Sequence, residues 1–417
     1  MRTASTRILP WTVFEWDARI PCQNHLRAKK RAVCAETVAR RTSAMGARNL
    51  CKILLHRRMQ RARENGWSNA AMCGIMKGEG PGRERTGTIQ LRAGGNAMNY
   101  TNDAYVTMLL SMALSPNREE YARPLSTQEL KQLEDRVRAC GMHHIGRLMN
   151  IDIGGLMIQL DISEEEAYRI YTLLNRSVQL SYTVENYLDR GIEVVTCYNG
   201  EYPQRLKRRM EDAAPPVFYR CGNQELLDAP MLAIVGISGV KTSPEVRDSI
   251  ETLVRNGVRL GYTILTGGEL GVSRVAMNLT SEYGGNLVEV LGGDMAAHIQ
   301  EEGVADLLAA NRAAVLSLEH PEALFTVSHA IARNKLLFSL AEAAFIFNTD
   351  GKRGELDAIR NRYCDWIYAW KGCANNRQLI ARGAIPVGNV SDMDLGELSP
   401  HWRNSQSEQM NIFDLLN

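Results

Sequence analysis

With 417 residues, 45% of them hydrophobic, the chain has length for two or three domains with sizeable buried cores. No apolar stretch approaches the roughly 18 to 20 residues of a membrane span, so a soluble protein with no membrane partner is expected. The formal net charge of +2 hides an asymmetry: residues 1–97 hold 19 Lys and Arg against 6 Asp and Glu, leaving 30 against 41 downstream. An acidic body excludes a surface that attracts nucleic acid throughout, and leaves a local basic site as the electrostatic footprint.

The nine cysteines are scattered without C-x-x-C spacing and there is no secretory signal, which points to a reduced cytoplasm. Residues 1–97 are arginine-rich and lack sustained periodicity. A basic nucleic-acid-binding arm and a transit segment are two readings of them; a disordered or upstream leader is the preferred third. Ala93-Gly94-Gly95 can be encoded by GCA-GGA-GGN, a bacterial ribosome-binding sequence before Met98, which marks Met98 as the expected start.

Residues 98–190 read as a helical domain of the helix-hairpin kind. Leu109, Leu110, Met112 and Leu114 mark one segment, Leu130, Leu133 and Val137 a second, and Ser163 to Leu174 a third. Ser163-Glu-Glu-Glu166 has the form of a capping box with Ile162 as staple. The glycine turns Ile145-Gly146-Arg147 and Ile153-Gly154-Gly155-Leu156 suit either hairpins that touch a DNA backbone or a plain helical bundle. A helix end at Gly191 and a strand Ile192 to Thr196 follow. The basic segment Arg205 to Arg209 and the extended Pro215 to Tyr219 then lead into an α/β domain over 191–390, before a polar tail 391–417 that ends in the amphipathic Ile412 to Leu416.

In that domain the apolar run Met231 to Val235 meets Gly236, and Tyr262 to Leu265 runs into Thr266-Gly267-Gly268. Between them Val246, Ile250, Leu253 and Val254 give a helix one apolar face, with Ser243 as N-cap, Pro244 in the first turn and Gly257 as the left-handed residue that ends it. A right-handed crossover between parallel strands is expected. Leu287 to Leu291, Ala313 to Ser317, Ala344 to Phe347 and Asp365 to Trp370 continue the alternation, with a helix over Ser328 to Leu340. The fold class is thus α/β, a Rossmann-like open and mostly parallel sheet preceded by a small all-helical domain. Glycines at the carboxyl ends of parallel strands let a phosphate approach the backbone, which places a ligand site at Gly236 and Gly267.

Several residue sets, in order, resemble the DNA-processing protein A (DprA, Smf) family across about residues 100–390. They are Glu201-Tyr-Pro203 with Leu206, Pro215 to Tyr219 with Gly222, Ile234-Val-Gly236 with Ser243, and Thr266-Gly267-Gly268 through Gly271-Val272. Val290 to Gly293, Arg333-Asn334, Gly354-Glu-Leu356, Asn376, Leu379-Ile380 and Gly383-Ala384 complete the set. The chain resembles a divergent member. The family pattern has Gly-Ser-Arg where this chain has Gly236-Ile237-Ser238, and Gly-Ile-Asp followed by Ala-His where it has Gly271-Val272-Ser273 and Ala276-Met277.

The resemblance implies a cytoplasmic single-stranded DNA-binding recombination mediator that forms a homodimer, protects incoming DNA and helps load the RecA recombinase in DNA uptake and transformation. It implies no catalysis, cofactor or metal. The site expected on this basis comprises Gly236, Ser238, Lys241, Ser243, Gly267, Gly268, Gly271, Arg333, Asn334, Lys335, Lys352, Arg353 and Gly354, cations and backbone N–H groups that track phosphates. Alternatives are a Rossmann-type nucleotide-sensing module, or a nucleoside-monophosphate phosphoribohydrolase-like enzyme with Glu355 as its acid. His298, His320 and His329 suit capping or surface roles. Glu289 is either a site carboxylate or a residue on an edge strand, and Trp366, Tyr368 and Trp370 share one face of a packed strand.

Overall fold

The computed structural model describes residues 88–93, 96–116, 120–237, 242–351, 354–393 and 395–397. The basic segment before residue 88 and the amphipathic end Ile412 to Leu416 lie outside the described residues. The first described elements are β1 (Thr88–Ala93) and β2 (Asn96–Thr101), an antiparallel pair with Leu91 opposite Met98. β1 therefore lies upstream of Met98, and its Leu91 is buried.

Five helices follow: α1 (Asn102–Ser111), α2 (Thr127–Ala139), α3 (Ile153–Leu160), α4 (Glu164–Leu174) and α5 (Ser177–Asp189). At α4 the Ser163 hydroxyl accepts the Glu166 N–H, while the Glu166 carboxylate lies 3.6 Å from Arg136. The reciprocal capping box is at α2: Ser126 Oγ accepts the Glu129 N–H, and Glu129 Oε2 accepts the Ser126 N–H. The Arg169 guanidinium beside Glu129 is the main cause that pulls its pKa down to about 2. Ser126→Ala is therefore expected to cost about 1 kcal/mol in urea unfolding, the usual worth of an N-cap hydroxyl.

The glycine turn at 145–147 packs inward. The Gly146 N–H donates to Asp103 Oδ1 at 2.8 Å, and a Cβ at Gly146 would lie 2.7 Å from that of Asn102. Gly155 N–H is likewise taken, by the Asp152 side chain that caps α3. Neither amide is left for a DNA phosphate, so these two glycines serve the bundle.

The α/β part runs β3 (Ile192–Thr196), α6 (Gln204–Met210), β4 (Val217–Gly222), β5 (Met231–Val235), α7 (Pro244–Arg259), β6 (Thr263–Thr266) and α8 (Val272–Glu282). It continues through β7 (Leu287–Leu291), α9 (Met295–His298), α10 (Glu302–Ala309), β8 (Ala313–Ser317), α11 (Val327–Leu340) and β9 (Ala343–Ile346). α12 (Glu355–Arg360), β10 (Trp366–Trp370), α13 (Arg377–Ile380) and β11 (Ile385–Val387) close it.

These strands form one nine-stranded sheet of order β11-β10-β9-β5-β6-β7-β8-β4-β3. β5 to β11 are parallel, and β3 and β4 add an antiparallel edge beyond β8. The period of two along each strand divides the core. Leu232, Ile234, Ile264, Leu287 and Phe345 pack on one face with Ile250, Leu253 and Val254 of α7 and with the buried side of α1 to α5. Ala233, Val235, Leu265, Val288, Val290 and Ile346 pack on the other with Leu336, Leu337 and Leu340 of α11.

The basic α6 is held to the body by its cations. Arg205 donates to the Leu340, Asp228 and Ala229 carbonyls, and Arg209 to the Ser339 and Ala341 carbonyls. Both also pair with Glu342. Trp366 is partly exposed, while Tyr368 and Trp370 are buried in the core.

Candidate phosphate-binding edge

The chain leaves β5 for β6, β7 and β8 on one side, then returns through α11 to β9 on the other side of β5. Strand order therefore reverses between β5 and β9, and open α/β sheets bind ligands at the carboxyl ends of such a switch point. Gly236 ends β5, Gly267 and Gly268 follow β6, and Gly292 and Gly293 follow β7, so all five lie along this one edge. Asn348, just beyond β9, accepts the Ile237 N–H through Oδ1 at 2.7 Å and ties the two sides of the switch point together.

Gly271 has φ 92 and ψ −128, a conformation that a side chain strongly disfavours. It starts α8 without a side-chain cap, so the first N–H groups of that 11-residue helix face the edge with the positive end of the helix dipole. Ser243 caps α7 through the Val246 N–H, with Pro244 next to it, but Gly257 does not end the helix: α7 runs on to Arg259, Gly257 packs against Leu232, and Gly261 takes the left-handed φ of +81. Ser238 and Lys241, expected in the turn before α7, lie outside the described residues, as do Lys352 and Arg353 after β9.

Arg333 lies beneath the loop. Its Nη1 donates to the Gly267 carbonyl at 2.7 Å and its Nη2 pairs with Glu269 at 3.0 Å, with only 4% of the side chain exposed. A Cβ at Gly267 would collide with Nη1, so the glycine there makes room for this guanidinium. Gly236 makes room for Val272, and Gly293 for the backbone of Phe325. Asn334 is buried and Lys335 lies 3.6 Å from Asp357. Gly354 begins α12, where a Cβ would meet the Ile331 carbonyl at 3.2 Å. Glu355 is buried in the first turn of the same helix.

A buried polar chain supports the loop from the other side. Thr266 Oγ1 donates to Glu289 Oε1 at 3.1 Å, Glu289 Oε2 accepts from His298 Nε2 at 2.6 Å, and His298 Nδ1 meets Glu301 Oε1 at 3.1 Å. Arg274 completes the chain on Glu301. β7 is an interior strand, so Glu289 is not an edge residue; its carboxylate is 1% exposed and fully engaged. Burial opposes the charged imidazole, but the Glu289 hydrogen bond and the charges of Glu289 and Glu301 outweigh it and hold the His298 pKa above its usual value. Burial also raises the Glu301 pKa, yet Arg274 and His298 bring it below the normal carboxylate value.

Sequence reasoning did not connect Glu289, His298, Thr266 and Glu269. The one signal was a carboxylate inside an otherwise apolar strand, which demands a partner once buried. His320 and His329 take local roles: His320 Nδ1 accepts the Glu322 N–H, and His329 Nδ1 donates to the Leu324 carbonyl. Where the family pattern carries Ala-His, Met277 is buried and its sulfur lies 3.9 Å from Arg274.

Among the described residues no group of three His, Cys, Asp or Glu could hold a metal ion, and no helix is long and apolar enough to cross a membrane. No curated protein matches the chain. Among solved structures, DNA processing protein A from Streptococcus pneumoniae is similar at 18% identity, covering 64% of this chain and 96% of that one, with a TM-score of 0.47. DNA processing protein A from Helicobacter pylori, whose structure concerns a single-stranded DNA binding mode, is similar at 21% identity, covering 49% and 94%, with a TM-score of 0.40. The molybdenum cofactor carrier protein from Chlamydomonas reinhardtii is similar at 16% identity, covering 39% and 92%, with a TM-score of 0.28. Residues 193–393, from β3 to past β11, match the model of DNA recombination-mediator protein A.

Proposed function

We propose that this chain binds single-stranded DNA along the carboxyl edge of its sheet, protects the incoming strand and helps load the RecA recombinase during DNA uptake. On this reading it works as a cytoplasmic homodimer and without catalysis. The family match over residues 193–393 is the observation that carries the reading. The edge supports it chemically: a phosphodiester can be met by the uncapped start of α8 and by the backbone around Gly236, Gly267, Gly268 and Gly271. Ser238, Lys241, Ser243, Asn334, Lys335, Lys352, Arg353 and Gly354 are the polar and basic groups proposed to flank it.

The test is titration of a fluorescent single-stranded oligonucleotide with the full chain across a salt series, with duplex DNA and a mononucleotide as competitors. Binding that falls steeply with salt and resists both competitors is expected. Failure to bind, or displacement by the mononucleotide, would replace DNA binding with small-ligand sensing, and release of free base would make the protein an enzyme.

A further inference from the structure

A second basic feature lies at the opposite end of the sheet. Cys364 and Asp365 lead into the amino end of β10, and Gly383 and Ala384 into that of β11. Between them opens a cleft of about 620 Å³ lined by Arg360, Arg362 and Arg382, with Ile359, Cys364, Asp365, Ile367 and Gly383. The three arginines come from the end of α12, the turn after it and the turn after α13. Among the described residues none of the three is within ion-pair distance of a carboxylate. The single acid of the lining, Asp365, pairs at 2.5 Å with Arg209, which is not part of the lining.

Arg362 adds an independent sign. Its φ is +53, in the left-handed region where a chain leaving a helix normally places glycine or asparagine. From that position the Arg362 side chain lines the cleft together with Arg360 and Arg382. The Cys364 thiol at the cleft is pushed up to about 12, mainly by burial, so it is not a nucleophile at neutral pH.

We propose that this cleft is a phosphate-binding site, separate from the glycine-bearing edge, in which Arg360, Arg362 and Arg382 converge on one phosphoryl group. Guanidinium forks match phosphate oxygens in pairs, and three of them offer more donors than one carboxylate can accept, which favours phosphate over an acidic side chain. The phosphate belongs either to a small molecule or to a nucleic-acid backbone, two sources of the same chemistry. The inference does not depend on DNA binding at the other edge.

The experiment is hydrogen exchange of the full chain with pyrophosphate, with dAMP and with an oligothymidylate, in parallel with the same measurement on Arg362→Gly and Arg382→Gln. Pyrophosphate is expected to slow exchange over residues 360–367 and 382–385, and each substitution to weaken that protection by about tenfold or more, the scale of a charge-assisted hydrogen bond. Arg362→Gly is the decisive variant because glycine is at ease at positive φ, so its thermal midpoint is expected to stay level or rise while phosphate affinity falls. Tighter protection by oligothymidylate than by dAMP assigns the phosphate to nucleic acid, and equal protection assigns it to a small molecule; both support the site. Protection confined to residues 266–272 would overturn this cleft and leave the glycine edge standing. Protection that appears without ligand as protein concentration rises would also overturn it, because the arginines would then face a second copy.

Discussion

Glu289→Ala is expected to lower the stability of the α/β part by about 3 kcal/mol, the scale for removing one partner of a buried ion pair. The carboxylate is 1% exposed and the imidazole it holds 9% exposed, so solvent cannot take over the lost interactions. Thr266 Oγ1 loses its acceptor in the same step, and Gly268 N, 3.5 Å from that hydroxyl, loses its indirect support. The double variant Glu289→Leu/His298→Leu removes both charges and fills the volume, and is expected to recover most of the loss. A thermal melt series on the two single variants and the double one checks this. Additive losses would show that the two groups are not coupled.

The pH dependence follows from the directions of the two shifts. The His298 pKa is raised above its unfolded value of 6.5, so its contribution to stability is complete below pH 6.5 and is lost as pH rises through the raised folded value. Glu301 is depressed below 4.5, so its contribution is present above that pH and is lost as pH falls through the folded value. The stability difference between the wild-type chain and Glu289→Ala should therefore be largest between these limits and shrink at alkaline pH. A difference that stays constant up to pH 10 would show that His298 is neutral in the fold.

Sequence reasoning located the strands and glycine turns of the edge because both leave local signals. Alternating or continuous apolar runs such as Met231 to Val235 and Leu287 to Leu291 end on glycine, and Ser243-Pro244 announces α7. What those glycines accommodate was not legible, since it depends on residues far along the chain: Gly267 faces Arg333, 66 residues away, and Gly268 faces His298 and Leu291. An arginine in an amphipathic helix reads alike whether it meets solvent, a ligand or a buried backbone carbonyl. The same limit applies to α6, where a run of basic residues suggests a surface patch yet Arg205 and Arg209 are bound to carbonyls. The edge pair β3 and β4 was hard to place for another reason: antiparallel addition beyond β8 is a choice of tertiary partner, not of local pattern.

Arg333→Ala is expected to have the second large effect, and its signature separates a clamp from a phosphate contact. The guanidinium is 4% exposed and its charge is balanced by Glu269, itself 14% exposed, so the substitution leaves a half-buried carboxylate without that cation and a cavity under Gly267. A loss of about 3 kcal/mol in unfolding is expected. If DNA binds the edge, affinity should fall because the Thr266 to Gly271 loop loses its anchor. The salt slope should nevertheless hold, since a cation already paired with Glu269 releases few counterions when a phosphate arrives. A slope lowered by about 1 on a log–log plot would instead make Arg333 a direct phosphate ligand. Arg333→Lys refines the distinction: a lysine keeps the charge but cannot span Gly267 and Glu269 with a rigid fork, so a clamp role predicts that it restores little stability. A phosphate-contact role predicts the reverse, with binding restored ahead of stability.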